Sequence, residues 1–239
     1  MFKLCWKDFL ASRWYWLLML PVFALYAASP MGWESLPYML MGAALVVGGL
    51  VVTAILEDKH KTEGFYLSLP VSRSEIVGAK YLTAGILAVA CGAIVFGGIL
   101  LLSRIVPPDR FGMNPQVMVS IDGGAGYLFI TAVLIALFLP FTLGFGLGRG
   151  SALFSATILV INLVLYAAHL TMAAARPDKW AVFQINPDQD IGTVFIGLIF
   201  SLRTAVGTPL FLVLVVLAAG APILFSIGLS MRLYDRREF

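Results

Sequence analysis

The chain has 239 residues, of which 60% are hydrophobic and only 12% are charged, and its mean hydropathy is +0.94. Soluble domains carry about 25% charged residues, so this composition, with several apolar runs of 20 residues or more, excludes a soluble globular domain and predicts an integral membrane protein. The net charge of +3 is no argument for nucleic acid as a partner, because basic residues in a membrane protein first report its orientation.

The N-terminal segment 1–12 predicts a short amphipathic helix. Phe2, Trp6 and Phe9 follow the spacing of one helical face, and Lys7 lies elsewhere on the helical wheel. A short helix that carries Trp and Lys belongs flat in the membrane interface. The alternative is that these residues simply begin the first span.

Six apolar segments are predicted to cross the membrane, because a spanning helix needs about 20 apolar residues. They are Trp14–Ala28, which reaches full length with its neighbours at 12–31, and Leu36–Leu56, Tyr81–Leu102, Tyr127–Gly148, Ser151–Ala175 and Thr208–Met231. With the N-terminus inside, eleven Lys and Arg residues lie in cytoplasmic segments and five lie outside. This excess places both termini in the cytoplasm. The predicted fold is an all-α integral membrane protein, with residues 1–239 in one transmembrane domain.

The charged connection at 57–80 is predicted to be a structured cytoplasmic element between spans two and three. Ser72 and Glu75 have the Ser-x-x-Glu spacing of a capping box and should begin a helix that continues into span three. The apolar segment Phe65–Pro70 before them is amphipathic and too short to cross. Aromatic and basic residues together suit a lipid-headgroup anchor as well as a docking site for a cytoplasmic partner, and the residues alone leave both interpretations open.

Two later connections also have distinct patterns. The segment 144–151, GFGLGRGS, predicts a tight cytoplasmic hairpin between spans four and five, and its glycines have the small-xxx-small spacing that allows close helix approach. Residues 176–207 are predicted to form a folded helical element outside. Its apolar part, Ile191–Leu202, is too short for a regular crossing and suits a re-entrant or interfacial helix. A crossing there would place the basic C-terminus outside, against the charge rule, although the sequence does not decide the point.

No motif for catalysis, nucleotide binding or metal binding is present in the sequence. The segment 144–151 lacks the Lys and the glycine spacing of a phosphate-binding loop. His60 and His169 have no companion at ligand spacing, so no metal site is expected, and a disulfide between Cys5 and Cys91 is not expected either. The cores of the spans hold no charged residue, which argues against ion-driven transport and indicates that any transport takes its energy from elsewhere.

The connection at 57–80 resembles the same region in the membrane subunits of type-2 ABC exporters, and in particular in short bacterial permeases without a fused ATPase domain. The residues that carry the resemblance are Glu57, Asp58, Lys59, Lys61, Thr62, Leu69, Pro70, Ser72, Arg73, Glu75, Ile76, Val77, Lys80 and Tyr81. The six spans, the amphipathic start and the outer element before the last span extend the resemblance over the whole chain.

This resemblance implies that residues 57–76 are a coupling element on which a separate ATP-binding subunit docks. The implied docking residues are Glu57, Asp58, Lys61, Leu69, Pro70, Ser72, Arg73 and Glu75. Residues 1–12 would be an elbow helix that also touches the ATPase, with Phe2, Trp6, Lys7 and Phe9 as its residues. ATP and Mg would be bound by the partner subunit, and this chain would hold neither a cofactor nor a catalytic residue.

The resemblance further implies two ATP-binding subunits and two permease copies, identical or sister subunits, in the lipid of the bacterial cytoplasmic membrane. Spans two and five would line the pathway between the copies, with Leu45, Val52, Asn162 and Tyr166 as candidate lining residues. An apolar pathway suits a hydrophobic or amphipathic substrate, such as a peptide, a lipid-like molecule or a drug. A membrane assembly or anchoring module that transports nothing is the alternative with the same composition.

Overall fold

Every regular element within the described residues is an α-helix. A computed structural model of the chain describes residues 35–59, 72–105, 119–175 and 191–236. The helices are α1 (Ser35–Lys59), α2 (Arg73–Ile105), α3 (Ile121–Ala175), α4 (Ile191–Val206) and α5 (Thr208–Asp235). The first predicted span, Trp14–Ala28, and the amphipathic segment 1–12 lie outside these residues.

Three of the helices contain segments that are long and apolar enough to cross a membrane. The segments are Arg73–Leu101 in α2, Ile121–Ile161 in α3 and Thr208–Asp235 in α5. The prediction of an all-α membrane protein is therefore confirmed. Helix α1 has 25 residues, the length of a span, and ends in the charged sequence Glu-Asp-Lys. The total of six spans stays a prediction.

The long helix α3 reverses direction at Gly146 and forms two packed arms, 121–145 and 147–175. Gly146 has φ 76° and ψ 170°, a backbone conformation that glycine alone adopts without strain. Across the turn, the rings of Phe138 and Phe154 pack edge to face with centroids 5.2 Å apart, whereas a straight helix would separate these residues by about 24 Å. The tight hairpin predicted at 144–151 is therefore confirmed, and its place on the cytoplasmic side stays a prediction.

The glycines around this turn differ in what they contact. A Cβ on Gly150 would lie 2.4 Å from the carbonyl oxygen of Phe141 on the other arm. A Cβ on Gly144 would lie 2.9 Å from the Cβ of Leu233 in α5, whereas a Cβ on Gly148 would have no neighbour within 4 Å. The small-xxx-small spacing predicted close helix approach at all four glycines. The structure shows it at Gly144 and Gly150, and Gly146 makes the turn.

The core lies between α1, α2, the first arm of α3 and α5. Its largest fully buried side chains include Tyr234, Phe138, Phe211, Leu87, Ile99, Val46, Val77 and Val95. Helix α5 buries one face, with Phe211, Ser226, Ser230 and Tyr234. The rest of its surface is apolar and exposed, with Phe225 at 76%. In a membrane protein such a surface faces lipid or another spanning helix.

Tyr127 fixes the first arm of α3 between α1 and α2. Its ring is flanked by Gly42 of α1 and Gly92 of α2, where a Cβ would lie 2.7 and 2.9 Å from ring carbons. Its hydroxyl donates a 2.7 Å hydrogen bond to the carbonyl of Ala88, and the Phe96 ring packs against it edge to face at 5.5 Å. Glycine is required at both flanking positions because the ring occupies the space of a side chain.

Helix α4 is joined directly to α5 through Gly207, whose φ of 81° turns the chain between them. The 16 residues of α4 extend about 24 Å, which is shorter than the roughly 30 Å hydrocarbon core of a bilayer. This helix falls within the predicted outer element 176–207, of which 176–190 lie outside the described residues. Whether the element crosses the membrane stays a prediction.

A pair of alanine substitutions tests the turn of α3. Gly146→Ala should lower the free energy of unfolding by about 1–3 kcal/mol, because a Cβ is strained at this φ and ψ. Gly148→Ala should be neutral or slightly stabilising, because the position is open and helical. The measurement is unfolding of the purified protein in mixed detergent micelles, followed by circular dichroism. Equal effects of the two substitutions would contradict the assignment of the turn to Gly146.

Candidate functional site

The N-terminus of α2 carries the capping box predicted from Ser72 and Glu75. The backbone N–H of Ser72 donates to Oε2 of Glu75 at 2.9 Å, and the backbone N–H of Glu75 donates to the Ser72 hydroxyl at 3.3 Å. The Ser72 hydroxyl also donates to the same Oε2 at 3.0 Å. Each residue thus gives a side-chain partner to the other's backbone N–H, and the Glu75 N–H also donates to the backbone carbonyl of Ser72 at 3.0 Å. The prediction that a helix begins here and continues into span three is confirmed.

Arg73, the first residue of α2, reaches the C-terminal end of α5. Its Nη1 donates to the carbonyl oxygens of Tyr234 at 3.3 Å and Asp235 at 2.8 Å. The last carbonyls of a helix have no partner within the helix, and the helix dipole favours a cation beside them. An arginine predicted to dock a partner subunit therefore also joins two helices of this chain.

Glu57 at the end of α1 and Lys80 in α2 form an ion pair. Each side chain is only 13% exposed, so loss of one partner would leave the other charge poorly solvated. Asp58, the next residue along α1, is exposed. Of the two acidic residues predicted to dock a partner on α1, Asp58 is therefore the accessible one, and Glu57 is engaged within the chain.

A small cavity of about 60 Å³ lies beside this ion pair. Glu57, Asp58 and Lys80 line one side of it, and Thr142 and Leu147 of the α3 hairpin line the other. The space suits a few water molecules in contact with polar groups and is well below the size of a pocket for a drug-sized ligand. The cavity therefore belongs to the packing of the helix ends and is too small for a transported substrate.

These contacts bring four helix ends to one side of the bundle, namely the end of α1, the start of α2, the turn of α3 and the end of α5. We call this surface the charged end and define it by Glu57, Asp58, Ser72, Arg73, Glu75, Lys80, Tyr234 and Asp235. At the opposite end, Nε of Arg203 in α4 lies 3.0 Å from Oδ1 of Asp122 at the start of α3, an ion pair without the alignment of a hydrogen bond. The charged end, predicted to be cytoplasmic, and the Arg203–Asp122 pair, predicted to lie outside, are thus at opposite ends of the bundle.

Tyr81, which lies two turns after Arg73 along α2, joins three helices. Its hydroxyl lies 2.5 Å from the hydroxyl of Ser226 and 2.8 Å from that of Ser230, both in α5. The Ser226 hydroxyl lies 2.7 Å from the carbonyl of Ala136 in α3. The part played by the two serines was not predicted. Their sequence signal is the spacing of two hydroxyls four residues apart in an apolar span, which puts them on one helical face.

The remaining predicted residues are only partly described. Lys61, Leu69, Pro70 and the elbow residues Phe2, Trp6, Lys7 and Phe9 lie outside the described residues. Of the predicted pathway residues, Leu45 is buried in the core and Val52 is half-buried, while Asn162 and Tyr166 lie on the second arm of α3 with side chains outside the description. The pathway assignment stays a prediction. In the part of the chain that is described, no group of three or more His, Cys, Asp or Glu side chains could hold a metal ion.

The family of the chain follows from a match over nearly its whole length. Residues 3–235 match the family described as ABC-2 family transporter protein. No curated protein and no solved structure is significantly similar to the chain. The matched range includes the 57–80 connection, on which the resemblance to type-2 ABC permeases rested, and all five helices described above. The protein therefore belongs to the ABC-2 family of transporter membrane proteins.

Proposed function

We propose that this chain is the transmembrane subunit of an ATP-driven exporter and that its charged end docks a separate ATP-binding subunit. Membership of the ABC-2 family supports a role as a transport component. The observation that supports the docking assignment is the position of the two helix ends that flank the connection 60–71. It leaves α1 after Lys59 and returns at Ser72, so that both of its ends lie on the charged end.

Both ends of this connection are anchored. On the α1 side, Glu57 is paired with Lys80. On the α2 side, the Ser72–Glu75 capping box and the hydrogen bonds of Arg73 to α5 hold the first turn. Because the end of α1 and the start of α2 are both held by contacts within the chain, a displacement applied at either helix end is passed to the rest of the bundle. This is the mechanical property that a coupling element needs.

The assembly that follows contains two ATP-binding subunits, which hold ATP and Mg²⁺, and two permease copies, identical or sister subunits. Each permease chain crosses the membrane six times with both termini in the bacterial cytoplasm. The substrate is hydrophobic or amphipathic, because three described helices contain long, largely apolar segments. Membrane lipid contacts the exposed apolar surfaces of α5 and of the second arm of α3.

The proposal is tested by co-expression with the ABC-type ATP-binding proteins of the same organism, one at a time. A stable complex should purify in detergent and, after reconstitution in vesicles, should move one of three probes in an ATP-dependent manner: a fluorescent phospholipid, a hydrophobic dye or an amphipathic peptide. Failure of any ATP-binding protein to associate would refute the docking assignment. A stable complex that hydrolyses ATP without moving any of the probes would favour the assembly or anchoring module instead.

Substitutions of the two acidic residues at the end of α1 should have different consequences. Asp58→Lys should weaken binding of the ATP-binding subunit about 10-fold, or about 1.4 kcal/mol, without lowering the stability of the permease, because Asp58 is exposed. Glu57→Gln should lower the free energy of unfolding by about 1–3 kcal/mol, because it leaves the shielded Lys80 without its charged partner. Binding is measured by biolayer interferometry in detergent, and stability by thermal unfolding.

The double variant Glu57→Lys with Lys80→Glu is the control for this comparison. It restores opposite charges at the two positions and should recover stability relative to Glu57→Gln. A loss of stability with Asp58→Lys as large as that with Glu57→Gln would contradict the distinction between an accessible and an engaged carboxylate.

Removal of the capping hydroxyl should loosen the start of α2. Ser72→Ala should increase amide hydrogen exchange over residues 73–78 by about 5-fold, which corresponds to the roughly 1 kcal/mol of an N-cap. Ser72→Thr keeps the hydroxyl and should exchange like the wild type. The measurement is hydrogen–deuterium exchange with mass spectrometry on the detergent-solubilised protein. Unchanged exchange in Ser72→Ala would show that tertiary contacts, and not the cap, hold this turn.

A further inference from the structure

We propose that Arg73 and Tyr81 clamp α2 to α5, so that the first helix after the docking connection and the last helix of the chain move as one unit when the ATP-binding subunits act. The inference rests on the proposed function, because it names the helix to which a displacement of the charged end is passed. It assigns Arg73 and Tyr81 as positioning residues, since neither is required to touch ATP or the transported molecule.

The first support is that the two contacts lie in one antiparallel register. Arg73 contacts the carbonyls of residues 234 and 235, and Tyr81 contacts Ser226 and Ser230. The eight residues from Arg73 to Tyr81 in α2 thus run alongside a stretch of similar length in α5 that is read in the opposite direction. Eight residues of helix correspond to about 12 Å. Two attachments that far apart restrict sliding and also tilting of one helix against the other, which a single contact would permit.

The second support is the burial of the inner attachment. Tyr81 is 8% exposed, and Ser226 and Ser230 are almost fully buried. Buried hydroxyls that separate from one another lose their hydrogen bonds without gaining water in exchange, which makes separation of the helices costly. The side chain of Tyr234, at the outer attachment, is also buried, and Ile76 and Val77 of α2, which lie between Arg73 and Tyr81, belong to the same core cluster. Packing therefore fills the interval between the polar contacts.

The third support is the position of the clamp in the chain. The docking connection ends at Ser72, and Arg73 is the next residue, so no loop separates the connection from the contact to α5. Helix α5 exposes most of its remaining surface, including Leu217 and Leu224. A movement of α5 would therefore displace a surface that faces lipid or another spanning helix. A movement of α1 would not, because most of its described part lies within the bundle.

The experiment measures distances between spin labels in the complex with the ATP-binding subunit. Two cysteine pairs are introduced into a chain with Cys5→Ser and Cys91→Ala: Leu82→Cys with Leu224→Cys reports α2 against α5, and Leu159→Cys with Leu224→Cys reports the second arm of α3 against α5. All three labelled positions are exposed. Distances are recorded without nucleotide and with ATP and vanadate, which traps the ATP-binding subunits together.

In the wild-type background the α2–α5 distance should change by less than about 2 Å while the distance from α5 to the second arm of α3 changes by more. Tyr81→Phe with Ser230→Ala should let the α2–α5 distance change by more than about 2 Å on addition of ATP and vanadate and should reduce the movement of α5 against the second arm. Thr53→Val is the matched control, because it removes a buried hydroxyl whose 2.8 Å hydrogen bond to Leu50 stays within α1. It should behave like the wild type.

The outcomes separate this inference from the proposed function. Binding of the ATP-binding subunit is measured in parallel for every variant, and it should be unaffected by Tyr81→Phe because that side chain is buried. An α2–α5 distance that changes in the wild type, or a clamp variant that moves like the wild type, would overturn the inference while docking stands. Absence of binding to the wild-type chain would refute the proposed function itself, and the clamp with it. If the double variant is poorly folded, Tyr81→Phe alone is used, because it keeps the ring and removes only the hydroxyl.

Discussion

The guanidinium of Arg73 at the carbonyl end of α5 meets a requirement that the membrane imposes on every helix. A spanning helix satisfies its interior backbone groups by itself, but its first N–H groups and last carbonyls need partners from elsewhere. At the end of α5 the partner is Arg73, and at the start of α2 it is the side chain of Glu75 and the hydroxyl of Ser72. Among the described residues, partners for these unpaired backbone groups therefore gather where helices end, and the charged end is the place where several of those ends meet.

This concentration also separates two tasks within a small chain. The apolar faces of α5 and of the second arm of α3 suit contact with lipid or with another spanning helix, and they offer no chemistry that could supply energy. The charged end is the surface in the described residues where accessible charge, anchored backbone and an intervening connection coincide. A transporter of this family that takes its energy from a partner subunit needs such a surface, and it needs the surface to be continuous with the spanning helices, as Arg73 and Lys80 make it.

The parts of this arrangement that could be predicted are those whose partners are near in sequence. Ser72 and Glu75 lie within one helical turn, so their spacing alone predicted the cap. The glycines at 144–151 predicted a hairpin, although not which glycine turns the chain, because that depends on the φ and ψ of one residue. The role of Arg73 could not be predicted, since its carbonyl partners lie 161 and 162 residues away and an exposed arginine suits docking equally well. The serine partners of Tyr81 could not be predicted for the same reason, since they lie 145 and 149 residues away.

The turn at Gly146 has a practical consequence for mapping the membrane topology of this protein. The two arms of α3 pack against each other immediately on either side of the turn, with Gly150 against the backbone of Phe141. A reporter domain, an epitope or a glycosylation acceptor inserted there would force the arms apart, so its signal would describe a disrupted protein. Reporter fusions should instead be placed after Arg236, which is exposed and follows the last residue of α5.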